Sequence, residues 1–219
     1  MEDIVQNKRR LFIIGAGDFG RELESWLELI PPGEREWEIA GYLDNNEKAL
    51  NGYPSDYKIL GDIDTFRFIN DDLCVITIAE PIIKEKICHK LESKVEFYTY
   101  ISPDVIIGKH NKIGKGTVIC PGCILTTNIT IGEFATINIG TQIGHDVKIG
   151  NFTSIMANVD VGGKCEIGNN VYIGTNSTII PSRKIGRNAK IGAGSIVIRN
   201  VKENITVFGN PAQQIPGYF

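Results

Sequence analysis

No stretch of this sequence approaches the ~18 consecutive apolar residues that a bilayer span requires, so any membrane association is expected to be indirect. Positive charge is not in excess either. The 23 Lys and Arg face 26 Asp and Glu, a formal net charge of −3, which leaves no basic stripe to neutralise nucleic-acid phosphates. Cysteine is sparse and odd in number, five in all. Without a secretory signal at the N-terminus, that count predicts free thiols in a reducing cytoplasm. Histidine is scarcer still, at three. Any imidazole chemistry is confined to His89, His110 and His145.

What the sequence does contain is a repeat. From Ile101 every sixth residue to Val197 is aliphatic, 17 positions without a slip, and ten of the residues that follow them are glycine. Small or β-branched residues such as Val105, Thr117, Ala135, Val147, Val159, Val171 and Ala189 stand two places before the aliphatics. A period of six fits neither an amphipathic helix nor simple strand alternation. It predicts a short strand and a turn, with the aliphatic and the small residue pointing inward. The glycine takes the corner, where positive φ or close backbone approach favours it. Three such faces close one triangular coil, and 17 hexads make a little under six coils of parallel β-helix.

Ahead of the repeat the pattern changes. Residues 1–10 are polar and read as a frayed terminus. Leu11 to Ile14 reads as a strand running into Gly15-Ala16-Gly17-Asp18-Phe19-Gly20 and then a helix from Arg21 to Leu29. Strand, Gly-x-Gly-x-x-Gly and helix is the context in which backbone N–H groups cradle phosphates. A second strand, 38–43, ends at Asp44-Asn45, where a carboxylate is placed to accept bonds from a ribose or base. A short strand is expected at 57–60. A third, 74–79, ends at Ala79 before a helix that begins at Pro81. The chain therefore reads as a small Rossmann-like α/β domain over 1–98 and a β-helix with a C-terminal cap over 99–219. The ligand site of the first domain is expected at the carboxyl ends of its strands. The glycine loop fits a nucleotide-sugar diphosphate, a nicotinamide dinucleotide or tight packing alone. The domain is short for a full dinucleotide fold, and no hydride-transfer set follows.

Phase also sorts the corners of the prism. The second residue after each aliphatic points outward, and every third corner stacks along one edge. One edge carries Lys115, Glu133, Asn151, Asn169 and Arg187 and reads as solvated. A second carries Pro103, Pro121, Ile139, Ala157, Thr175 and Ala193; its lack of charge predicts burial against a subunit or along a ligand. The third carries Lys109, Thr127, His145, Gly163, Pro181 and Arg199. His145 lies outside the apolar prism, with Asp146 beside it and Gly162-Gly163 one coil on.

Repeats such as Ile149-Gly150-Asn151-Phe152-Thr153-Ser154 and Ile167-Gly168-Asn169-Asn170-Val171-Tyr172 resemble the hexapeptide repeat of left-handed β-helix acyltransferases. The hand comes from that resemblance, since a six-residue period does not reveal it. Glycine loop, α/β domain and hexapeptide helix in this order, closing with Gly209-Asn210-Pro211-Ala212, resemble the sugar O/N-acyltransferases of the sialic-acid O-acetyltransferase and bacillosamine N-acetyltransferase kind. The resemblance covers Leu11 to Ile215. It implies His145 as general base with Asp146 as its orienter. It implies acetyl-CoA as co-substrate, lying between two helices of a homotrimer, with Ser154, Gly163, Thr175 and Ala193 as candidate contacts. Gly15, Gly17, Asp18, Phe19, Asp44, Asn45 and Ala79 are the candidates for a nucleotide-linked amino sugar. Two positions depart from the family. Ser154 stands where a second histidine is often found, and Asp18 puts a carboxylate in the glycine loop.

Other candidates carry less. Cys120 and Cys123 have CxxC spacing, but one such pair does not complete a four-ligand zinc site. Cys123 and Cys165 fall in the inward phase and read as core. A zinc site of the β-helix carbonic-anhydrase kind needs three histidines, and the helix holds His110 and His145 alone; no metal is expected. His89 reads as helix surface, and Asn128, Asn151, Asn176 and Asn204 as turn residues. The expected activity is transfer of acetyl to the amine of a nucleotide-linked 4-amino-6-deoxy sugar. Sugar O-acetylation and a non-catalytic nucleotide-sugar-binding trimer remain the alternatives.

Overall fold

The structure is a computed structural model that describes residues 8–215. By internal contacts the chain divides into two units, one of residues 1–78 with 87–98, the other of 79–86 with 99–219.

The first unit is built on a parallel sheet in the order β2-β1-β3-β4. Its strands are β1 (Arg9–Ile14), β2 (Trp37–Leu43), β3 (Leu73–Ile76) and β4 (Glu96–Phe97). The apolar run Leu11 to Ile14 is fully buried at the centre, as a parallel strand covered on both faces must be. The helix after it, α1 (Asp18–Glu28), starts three residues earlier than expected, because it begins directly at Gly17. The short strand expected at 57–60 is a single bridge between Tyr42 and Ile59. Of the polar terminus, residues 1–7 lie outside the described residues, but Arg9 and Arg10 are not frayed. They open β1, where the Arg10 guanidinium grips the buried Asp72 carboxylate with two bonds of 2.8 Å and Arg9 meets Glu96 at 2.8 Å.

From Tyr100 to Val197 the second unit is a prism of two-residue strands stacked in parallel on three faces, and one face is extended at its end by an antiparallel pair, Thr206–Phe208 with Gln213–Gln214. One face runs from Tyr100–Ile101 through Thr136–Ile137 and Ser154–Ile155 to Lys190–Ile191. Through the repeat, successive strands of a face lie 18 residues apart, as Thr136 pairs with Ser154 and Ser154 with Tyr172. The aliphatic ladder fills the interior: Ile119, Leu125, Ile137, Ile155, Val161, Ile173 and Ile179 are fully buried. Ile107, in the first coil, is 40% exposed, because the ladder ends there and leaves one side without a neighbouring strand. Cys120, Cys123 and Cys165 are buried, and burial pushes the Cys123 thiol up to about 11.

The turns differ from expectation in one respect. The left-handed residue is not the glycine after the aliphatic but the residue two further on: Asn128, Asp146, Lys164 and Asn176 have φ of 58°, 62°, 60° and 58°. The repeat glycine serves close approach instead. A Cβ on Gly144 would lie 2.6 Å from the Gly163 nitrogen of the next coil.

The second unit also takes in residues 79–86, the opening of α2 (Pro81–Leu91). Lys84 is buried to 1% exposure. Its ammonium donates to Thr136 Oγ1 at 2.9 Å and Ser154 Oγ at 3.0 Å. Glu85 accepts from Asn170 Nδ2 at 2.6 Å. These contacts lay the start of α2 along the outward side chains of one prism face.

Candidate active site

His145 stands at a corner of the prism because Ile143 is locked inward and Gly144 allows the next coil to close against it. Its side chain is 57% exposed. Asp146 follows in the left-handed conformation, which turns its carboxylate back beside the imidazole. Consecutive strand residues face opposite ways; the corner brings these two together. His145 Nδ1 lies 2.8 Å from Asp146 Oδ2. Asp146 Oδ1 accepts from Asn128 Nδ2 at 2.5 Å. The bonds from His145 and Asn128 hold the Asp146 carboxyl below its ordinary range, with Lys164 adding a weaker attraction.

With Nδ1 engaged, Nε2 is the remaining ring nitrogen, and it meets no hydrogen-bond partner among the described residues. The ring lies against Gly163: a Cβ there would stand 2.6 Å from Nε2 and 2.8 Å from Cε1. The imidazole fills the place a side chain at Gly163 would take, and the glycine is what admits it. This arrangement can accept a proton at Nε2 and stabilise the resulting cation through Nδ1.

The other helix candidates scatter. Thr175 is half-buried and Ala193 exposed on the neighbouring uncharged edge, and their backbone N–H groups have no acceptor among the described residues. Ser154 is fully buried on the outward face along which the start of α2 lies, and its hydroxyl accepts from Lys84. His89 is surface, 3.5 Å from Glu92. No group of three metal-ligating side chains occurs among the described residues.

In the first unit the glycine loop is built as its spacing implies. Gly15 has φ of 103°. At Gly20 a Cβ would stand 2.1 Å from the Gly15 carbonyl oxygen, so only glycine lets α1 start this close to the strand. Gly17 caps α1 without a side-chain bond and has open space beside it. Asp18 projects into solvent, tied to Arg21. Its charge is paired and lies at the helix N-terminus, where an anion is favoured. Phe19 packs edge-on against Trp26 at 6.5 Å. Asp44 turns back on the loop itself, with Oδ2 accepting from Ala16 N at 2.7 Å and Oδ1 from Asn46 N at 2.8 Å. Asn45 is exposed beside it. Ala79 groups with the second unit. Among the described residues no helix is long and apolar enough to cross a membrane.

Residues 10–91 match the family described as the PglD N-terminal domain, and residues 82–190 match the GMPPB C-terminal domain. No curated protein sequence matches the chain. Solved structures match nearly all of it. WeeI from Acinetobacter baumannii AYE is 27% identical with a TM-score of 0.83, covering 95% of this chain and 100% of that one. The acetyltransferase domain of PglB from Neisseria gonorrhoeae FA1090 is 22% identical with a TM-score of 0.84, covering 95% and 100%. PerB from Caulobacter crescentus, solved with CoA and GDP-perosamine, is 21% identical with a TM-score of 0.84, covering 94% and 96%. The chain thus has the architecture of the left-handed β-helix sugar acyltransferases, a PglD-type N-terminal domain followed by a hexapeptide-repeat prism.

Proposed function

We propose that the chain is an acetyl-CoA-dependent N-acetyltransferase acting on the amino group of a nucleotide-linked 4-amino-6-deoxy sugar, in the synthesis of a surface glycan. The observation that carries this reading is the His145–Asp146 pair, an exposed imidazole with Nδ1 held at 2.8 Å by a carboxylate. The PglB acetyltransferase domain has been solved with acetyl coenzyme A and PerB with CoA and GDP-perosamine, which supports the same pair of substrates here.

In the proposed reaction the sugar amine attacks the thioester carbonyl carbon. As the C–N bond forms, the amine proton passes to His145 Nε2. Asp146 holds the Nδ1–H and stabilises the imidazolium. The C–S bond then breaks, its electron pair leaves on sulfur, and the imidazolium returns the proton to the thiolate. The N–H groups of Thr175 and Ala193 are proposed donors to the developing oxyanion and to the pantetheine amides. That places acetyl-CoA along the uncharged edge, in a groove closed by a second helix of a homotrimer. Gly163 makes the ring's place. The nucleotide sugar is assigned to the first unit: Gly17 and the start of α1 at Asp18 and Phe19 offer N–H groups to the diphosphate, while Gly15, whose own N–H donates to the Leu43 carbonyl, turns the loop at positive φ. Asp44 and Asn45 border that loop, and Ala79 follows the third strand.

The test is thiol release from acetyl-CoA against UDP-, GDP- and dTDP-linked 4-amino-6-deoxy sugars, with the product identified by mass and NMR. Release with an amino sugar, and an amide at its nitrogen, supports the reading. Product acylated on oxygen, or nucleotide-sugar binding with no release, replaces it with one of the two alternatives.

A further inference from the structure

Asn128 stands 18 residues before Asp146, at the same left-handed turn position one coil earlier. Its Nδ2 donates to Asp146 Oδ1, while Asp146 Oδ2 meets His145 Nδ1. The two carboxylate oxygens are thus held in opposite directions. Any rotation of the carboxylate that releases His145 must also break the bond to Asn128. An exposed carboxylate without that second bond would turn freely about its terminal torsion, which is broad. The backbone does not demand an amide here, since Phe134, Gly140, Lys164 and Ser182 occupy equivalent left-handed positions. The charged groups that face Asp146 are His145 and, from the next coil, Lys164.

We propose that Asn128 is a positioning residue for the His145 base: it fixes the Asp146 carboxylate in the orientation in which the other oxygen holds the imidazole. The inference rests on the reading of His145 as general base. A similar turn-to-turn bond elsewhere serves as its control. Asn188, at φ 57° on another edge of the prism, donates to Asn204 at 2.8 Å with no imidazole attached.

The experiment compares Asn128→Gly, Asn128→Asp, Asn188→Gly and His145→Ala in steady-state thiol release and thermal melting. Glycine keeps the left-handed turn and removes only the amide. Asn128→Gly is expected to lower kcat about 10-fold or more with both KM values unchanged, and to melt alongside Asn188→Gly, which retains wild-type kcat. Asn128→Asp sets a second carboxylate against Asp146. Added negative charge near the imidazole moves the acid limb of its kcat profile to higher pH. Wild-type kcat and pH profile in Asn128→Gly, with His145→Ala inactive, would overturn the role of Asn128. Equal losses in Asn128→Gly and Asn188→Gly would overturn it too, as a purely structural effect. Activity in His145→Ala would instead remove the base reading on which the inference stands.

Discussion

The imidazole of His145 lies across Gly163 of the following coil, so close that a methyl group on that glycine would stand 2.6 Å from Nε2. The contact is between a side chain and an empty position, and it sets where the ring can rest. Gly163→Ala is expected to displace the imidazole while leaving the prism intact, since Gly163 is not a positive-φ glycine. A shift of about 1 Å in a reacting group costs on the order of 100-fold. We expect kcat to fall by about that factor with melting unchanged. Wild-type turnover in Gly163→Ala would show that the ring does not react from this position.

Lys84 yields a pH prediction. Burial without a carboxylate partner lowers its pKa from 10.5 to about 7. Between those values the unfolded chain binds a proton that the folded chain has released. Stability from this group therefore rises with pH from about 7 to about 10.5 and is flat below, with a slope of up to about 1.4 kcal/mol per pH unit. Denaturant unfolding across that window should show the slope in the wild type and its loss in Lys84→Met, which keeps a side chain of similar length. Parallel profiles for the two proteins would place the Lys84 ammonium in water rather than against Thr136 and Ser154.

Asp44 and the glycine loop act as one unit. The Asp44 carboxylate holds the backbone of Ala16 and Asn46, so Asp44→Ala frees the loop while Gly20 still allows α1 its close start. Titration calorimetry with the nucleotide sugar should show at least about 10-fold weaker binding, and KM for that substrate should rise with kcat little changed. Unaltered affinity would separate the loop from the nucleotide.

Much of this was readable from the hexad. Ile119, Ile137 and Ile155 lie inward as their phase requires, and the same phase puts His145 at an outer corner. The contacts that escaped it join residues far apart in the chain. Lys84 meets Ser154 across 70 residues, and no local pattern shows which prism face α2 will cover. Arg9 and Arg10 read as a loose end because their partners, Glu96 and Asp72, come 87 and 62 residues later. Asn128 is a nearer miss. Its pairing with Asp146 follows from the 18-residue coil once the left-handed positions are stacked like the corners, but the composition of the hexad points to the glycine after the aliphatic, and the left-handed turn falls two residues later. Asp44 is legible as a carboxylate at a strand end, but its bond to the Ala16 N–H joins residues 28 apart and has no local signature.

The most direct measurement is thiol release from acetyl-CoA with a nucleotide-linked 4-amino-6-deoxy sugar, comparing wild type with His145→Ala at equal folded fraction. Loss of at least about 100-fold in kcat, with nucleotide-sugar binding retained, is the expected result for a general base. Turnover in His145→Ala near that of the wild type would contradict it and leave the His145–Asp146 pair without a role in the chemistry.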